Sequence, residues 1–309
     1  MLMDIQTHTD AFAIPGILSF SATEQGLIRA NITTAECSAE LYLQGAHLTA
    51  WQPVGAKPAL FLSNRSAFEP GKAIRGGVPI IFPWFGARTA TPESPRTDGP
   101  SHGFARICDW QLAFAAISGD EIHLTLTLGP SDLSRSLGFD RFQLAYQLTL
   151  GRELRMQLTV ANQSATPLHF EEALHTYLAV GDARRVRIGG LSDTDYIDKT
   201  DSFRRKRQTD AALVLTGETD RPYLNTETTV TLDDPVFKRR LSVAKTNSKT
   251  TVVWNPWAEV SAKLADMSPD GWERMTCIET ANAGDNALTL QSGEPQTMGA
   301  IITMQEVAD

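Results

Sequence analysis

The sequence predicts an all-β fold, a large antiparallel β-sandwich with few short helices. Three observations carry this prediction. Apolar and polar residues alternate with period two over several stretches, glycine turns separate neighbouring stretches, and convincing amphipathic helices are few and short. Short strands punctuated by Gly, Pro, Asn and Asp are the pattern of a sandwich.

The clearest strands lie in the middle of the chain. Ile122, Leu124, Leu126 and Leu128 alternate with His123, Thr125 and Thr127. Phe142, Leu144, Tyr146, Leu148 and Leu150 fall on one face of the next stretch. Gly151-Arg152 then turns the chain, and Leu154, Met156, Leu158 and Val160 repeat the pattern. Period two on both sides of a glycine turn predicts an antiparallel hairpin with one face buried and one wet. Residues 39–48, 228–232, 241–244, 250–254 and 300–304 read as further strands. The best helix covers residues 258–267, just after Pro256, and a shorter one covers 131–137. With no Pro/Ser-rich linker and no obvious internal repeat, residues 1–309 are expected to form a single domain with a sizeable core.

Composition narrows the function classes. Hydrophobic residues at 42% and charged residues at 21% are those of an ordinary globular protein, which excludes a disordered or fibrous one. The net charge of −8 argues against nucleic acid or an anionic membrane as partner. An anionic small molecule stays open, because a few local arginines decide that. Three cysteines, Cys37, Cys108 and Cys277, are odd in number and widely spaced, so they give neither a disulfide framework nor a zinc signature. They read as buried small hydrophobes in a reducing compartment. The N-terminal stretch lacks the basic and apolar regions of a secretory signal, and no run approaches the ~20 apolar residues of a membrane span. A cytoplasmic location is the expectation.

Two polar segments interrupt the strands. Residues 86–103 (GARTATPESPRTDGPSHG) form a loop long enough to be either functional or mobile. Arg204-Arg205-Lys206-Arg207 is a basic run that reads as a solvated loop.

Several segments could carry chemistry, and each also has a plain structural reading. RGGVPIIFPWFG, from Arg75 to Gly86, combines a Gly-Gly turn with Phe82, Trp84 and Phe85, flat apolar surface suited to a pocket or to a core. SHGFAR, from Ser101 to Arg106, flanks Gly103-Phe104 with His102 and Arg106. EEALHTYLAV places His175 between apolar neighbours, as a satisfied core histidine or as a proton-transfer group. GETDRPYLNT holds the pair Asp220-Arg221 before Pro222. MTCIETANA sets Glu279 in an otherwise apolar run, where a carboxylate either finds a partner or has an unusual pKa.

In combination and order, these motifs resemble the hexose-6-phosphate mutarotases (glucose-6-phosphate 1-epimerases) of the galactose-mutarotase-like superfamily. The resemblance runs from about Leu41 to Ile302 and rests on RGGVPIIFPWFG, SHGFAR, LHTYL, ETDRPYLNT, VWNPW and CIETANA. It implies a supersandwich fold that interconverts the α and β anomers of a hexose 6-phosphate. By this resemblance the catalytic pair is His175 and Glu279, the ligand-contacting arginines are Arg75 and Arg106, and Asp220 binds the sugar. His102 and Trp84 are further binding candidates. Ser101 stands where the family often has Gln, which makes it a departure from the pattern. Anomer exchange needs only proton transfers, so neither cofactor nor metal is expected. A monomer whose partner is a small hexose phosphate, with no nucleic acid and no membrane, completes the expectation. The rivals are an aldose 1-epimerase for unphosphorylated sugars, a non-catalytic sugar-binding sandwich, and a glycosidase, which normally needs two facing carboxylates.

Overall fold

The structure, a computed structural model, describes residues 4–91 and 94–307. Strands dominate it, and all the paired strands are antiparallel. Its largest sheet has nine strands. In spatial order they are Ala212–Leu213, Arg187–Gly189, Val230–Asp234, Arg239–Thr246, Pro295–Glu306, Leu154–Asn162, Phe142–Leu150, Glu121–Leu128 and Gln111–Ser118. The hairpin expected around Gly151 forms two inner strands of it, with Leu148 opposite Met156 and Leu150 opposite Leu154. Burial alternates along these strands as the sequence pattern demands, and each fully buried leucine contributes roughly 1.5–3 kcal/mol.

A second sheet of eight strands carries the candidate site. Its main path runs Arg204–Arg207, Asp195–Asp198, Thr219–Leu224, Thr250–Asn255, Met275–Asn282, Glu172–Leu174 and Ile80–Ile81, while Tyr177–Ala179 also pairs with Met275–Asn282. A four-stranded sheet spans residues 18–53, and a two-stranded ribbon joins Leu168–Phe170 to Leu288–Leu290. One hydrophobic cluster draws on all of these sheets, from Leu41 and Trp51 through Leu148 and Leu158 to Val253, Ile278 and Leu290. Most of the buried apolar side chains thus belong to one continuous cluster, with smaller clusters beside it.

Four sequence expectations need correction. Residues 39–48 are not one strand: Cys37–Tyr42 and His47–Pro53 are joined by a turn at positive-φ Gly45, and the apolar pattern runs through that turn because Leu43 and Ala46 are buried too. The helix over 258–267 is shorter, Trp257–Ser261, followed by turns that let Leu264 and Met267 join a small cluster with Tyr177 and Cys277. The basic run is not a loop but the edge strand Arg204–Arg207, and aspartates neutralise it. Lys206 meets Asp198 at 2.7 Å, Arg207 meets Asp195 at 3.0 Å, and Arg204 meets Asp201 at 3.5 Å. A charged edge of this kind discourages pairing with another chain. Finally, Cys108 is only partly buried, whereas Cys37 and Cys277 are fully buried and all three are free. A helix at Ile5–Phe12, capped by Asp4, was not expected.

On the inner side of the second sheet lies a buried carboxyl, Glu172, opposite Asn282. Asn282 donates to its Oε1 at 2.9 Å, and its Oε2 has no partner. Burial pushes the Glu172 pKa up to about 8, and the Asn282 hydrogen bond only partly offsets this. A carboxyl whose folded pKa is raised stabilises fully below its unfolded value of 4.5, and that contribution is lost as pH rises toward about 8. Glu172→Gln is expected to remove this dependence. Its stability should improve relative to the wild type by roughly 1.4 kcal/mol per pH unit across that window. Urea unfolding at several pH values checks it, and a constant difference would show that Glu172 does not titrate there.

Candidate active site

The site is built on the outer face of the second sheet. All eight residues of Met275–Asn282 are buried, so this strand is covered on both sides. Alternation sends Ile278 into the main core and turns Met275, Cys277, Glu279 and Ala281 the other way. Register then aligns a row across four strands: Tyr177 opposite Cys277, Cys277 opposite Trp254, and Trp254 opposite Asp220. Directly opposed residues of antiparallel strands share a face, so sheet pairing gathers positions far apart in sequence.

His175 sits in the short break between Glu172–Leu174 and Tyr177–Ala179, with its main-chain N–H donating to Pro79. The break does not interrupt pairing with the central strand, because Ile278 donates to the Thr176 carbonyl. His175 Nε2 lies 3.4 Å from Glu279 Oε1, and both side chains are buried. The imidazole stacks on Tyr177 at 4.8 Å and meets the edges of His102 at 5.4 Å and Trp254 at 6.1 Å.

Electrostatics set the protonation of this pair. Burial holds Glu279 well above the usual carboxylate range, Asp220 adds to the effect, and the Lys199 ammonium opposes it. Burial holds His175 well below its ordinary value, helped by His102, Arg106 and Arg75. Both shifts disfavour the charged forms, the carboxylate of Glu279 and the imidazolium of His175. Glu279 Oε2 and His175 Nδ1 are buried without protein partners. Such orphaned polar atoms mark a place where a polar ligand would complete the hydrogen bonding.

The two arginines differ. Arg75 Nε and Nη2 both reach Asp266 Oδ2 at 3.1 Å, and Nη1 donates to the Tyr177 hydroxyl at 3.0 Å. Burial works against its charge, but Tyr177 and Asp266 outweigh burial and hold Arg75 firmly protonated. Arg106 donates to the Ser101 carbonyl at 2.7 Å and has a buried Nε with no partner. Among the described residues no carboxylate forms a salt bridge with it. Burial and Arg75 both depress its pKa.

His102 is brought in by backbone geometry. Gly103 passes so close to Phe82 that an added Cβ would lie 2.0 Å from the Phe82 carbonyl oxygen, and its φ is +70°. Phe104 N–H donates to that carbonyl, which locks SHGFAR against RGGVPIIFPWFG. Gly103→Ala should therefore force the two segments apart and destabilise the fold by at least ~1–3 kcal/mol. An unchanged melting temperature would show that this approach is not needed. His102 Nδ1 accepts from the Gly86 N–H at 3.2 Å, leaving the proton on Nε2. Burial and the Arg106, Lys199 and Arg75 charges push its pKa down to about 3. It is a neutral donor.

The remaining candidates divide. Asp220 pairs with Lys199 at 3.1 Å, and Lys199 in turn stands 5.0 Å above the Phe85 ring. Burial raises the Asp220 pKa, and Lys199 counters it. Ser101 is exposed and contributes its main-chain carbonyl to Arg106. Trp84 is not brought to the pair. It packs with Phe104 and Phe139, donates to the Pro100 carbonyl at 2.9 Å and lies under Arg88. Phe85, the next residue, is the aromatic at the site, parallel to the His175 ring at 6.4 Å. The two aromatics point to different surroundings, and the sequence alone does not say which one faces the site. Tyr177, Asp266 and Lys199 went unrecognised. Tyr177 lies two residues beyond His175, a same-face spacing that could have flagged it, whereas Asp266 and Lys199 carry no local signal.

The structure is thus an antiparallel β-sandwich protein with a buried His–Glu pair on one face of its second sheet. The chain belongs to the aldose 1-epimerase family, which it matches over residues 29–302. A Salmonella typhimurium protein named "Putative glucose-6-phosphate 1-epimerase" is 35% identical over 248 residues, covering 80% of this chain and 81% of that one. An Escherichia coli protein of the same name is 34% identical over 250 residues, covering 81% of each. The crystal structure of a "putative mutarotase" from Salmonella typhimurium superposes with a TM-score of 0.88 at 30% identity, covering 96% of both chains. Among the described residues no helix is long and apolar enough to cross a membrane.

Proposed function

We propose that this chain is a hexose-6-phosphate 1-epimerase that exchanges the α and β anomers of glucose 6-phosphate by acid/base ring opening between Glu279 and His175. The observation that carries the reading is the buried pair itself, an imidazole and a carboxyl 3.4 Å apart. Ring opening requires one group free to take a proton and one able to give it. The pair has that composition.

For reaction the proton must reside on His175. Hydroxyls of the bound sugar donating to Glu279, with the Lys199 charge nearby, favour the carboxylate and so drive the proton across. Glu279 then takes the proton of the C1 hydroxyl while His175 delivers its own to the ring oxygen. The C1–O5 bond breaks, its electron pair goes to O5, and C1 becomes an aldehyde. Rotation about C1–C2 presents the other carbonyl face. In closure His175 takes back the O5 proton and Glu279 returns one to O1. Atoms and charge balance without a co-reactant. Neutral His102 offers its Nε2–H to a sugar oxygen, and Asp220 accepts from ring hydroxyls.

Arg106 is the best-suited cation for the phosphate, because its guanidinium is uncompensated by any carboxylate salt bridge among the described residues. Arg75 is already satisfied by Asp266 and Tyr177, and it serves to hold the Tyr177 ring beneath His175. The proposal extends to a cytoplasmic monomer acting on a small sugar phosphate. Exchange NMR on glucose 6-phosphate and on glucose, with and without the protein, tests the reading. Catalysed exchange is expected to favour the phosphorylated sugar, and a preference for free glucose would overturn the choice of substrate.

A further inference from the structure

We propose that His175, Cys277 and Glu279 bind a soft divalent cation such as Zn²⁺, and that the ion inhibits the enzyme by holding both members of the acid/base pair. The inhibition rests on the catalytic reading above, whereas the binding does not.

Each of the three residues offers one ligand atom, these atoms lie within 4.8 Å of one another, and all three residues are buried. Ligands 2.0–2.3 Å from a tetrahedral zinc stand roughly 3.5 Å apart. His175 Nε2 and Glu279 Oε1, at 3.4 Å, already have that spacing. The thiol needs only a small side-chain adjustment. Cys277 and Glu279 are alternate residues of one buried strand, and the chain at His175 pairs with that same strand, so the backbone holds all three.

Charge favours the occupant. A thiolate and a carboxylate together balance a dication, so the loaded site buries no net charge. Loading releases the thiol and carboxyl protons to solvent, and neutral imidazole is the form of histidine that binds metal. Thiolate selects a soft ion over Mg²⁺ or Ca²⁺. His175 Nδ1 has no hydrogen-bond partner, whereas resident metal centres orient their histidines through that second nitrogen. The site is therefore one for an exchangeable ion, which competes with the sugar.

Co²⁺ titration of the full chain, read by thiolate-to-cobalt charge-transfer absorption, tests binding directly. The wild type is expected to give the band at one equivalent, Cys277→Ser to lose it, Cys108→Ser to keep it, and glucose 6-phosphate to suppress it. Zn²⁺ should inhibit anomer exchange by the wild type, and Cys277→Ser should need at least ~10-fold more Zn²⁺ while keeping its basal rate. If Cys277→Ser does not fold, Cys277→Ala and suppression of the wild-type band by the sugar decide the question. No thiolate band in the wild type, or a band that disappears with Cys108 instead, overturns the proposal. A chain that exchanges no sugar would overturn the catalytic reading, leaving the cobalt band to decide this one.

Discussion

Glu279→Gln is expected to slow anomer exchange of glucose 6-phosphate by roughly 10²–10⁴-fold, the usual worth of a positioned acid or base. The amide has the shape of a carboxyl, and burial at this position disfavours the charged form, so the fold should be kept. Sugar affinity should also largely survive, because Arg106, His102 and Asp220 are untouched. The loss therefore belongs in kcat rather than in KM. His175→Ala should produce a loss of the same order. Removing its ring also leaves a cavity against Tyr177 and Trp254, so melting temperatures have to accompany the rates. Near wild-type exchange in either variant would make that residue structural.

The second large effect concerns the phosphate. Arg106→Ala should weaken binding of glucose 6-phosphate by about 10–150-fold, corresponding to the ~1.5–3 kcal/mol of a charge-assisted hydrogen bond. Free glucose should bind almost as before. Arg75→Ala should behave differently, impairing both sugars, because it releases Tyr177 from beneath His175 and leaves Asp266 unpaired. Comparing KM for the two sugars in both variants separates these roles. Equal losses for both sugars in Arg106→Ala would show that Arg106 does not read phosphate.

Much of the fold was legible because one-face burial writes itself as alternation. Phe142–Leu150 and Leu154–Asn162 lie in the hairpin that the pattern demands. The strand under the site is different. Met275–Asn282 is buried on both faces, so no period separates its core side from its site side. Glu279 stood out there only because a carboxylate in an apolar run needs an explanation. Cys277, two residues before it, looked like any small buried hydrophobe, yet it faces the same way as Glu279. Turns were the other weak point: Leu43 and Ala46 are buried on either side of Gly45, and so one strand was expected where there are two.

The candidate site was legible where a motif held its residue in place, as with His102, Arg106, His175 and Glu279. It was not legible where tertiary pairing did the placing. Lys199 follows the strand Asp195–Asp198 and reaches Asp220 through strand pairing. Asp266 arrives from the turns after the short helix and meets Arg75 from 191 residues away. Only the folded sheet order brings such groups together.

The account turns on His175 and Glu279 acting as one unit, and a double-mutant comparison addresses this directly. Anomer-exchange NMR on glucose 6-phosphate should be run for the wild type, His175→Ala, Glu279→Gln and the double variant, at sugar concentrations that saturate each. If the pair shares one proton, losing either member stalls ring opening, and the double variant should be scarcely slower than the slower single variant. Losses that multiply in the double variant would mean that the two residues act independently, and would contradict the mechanism.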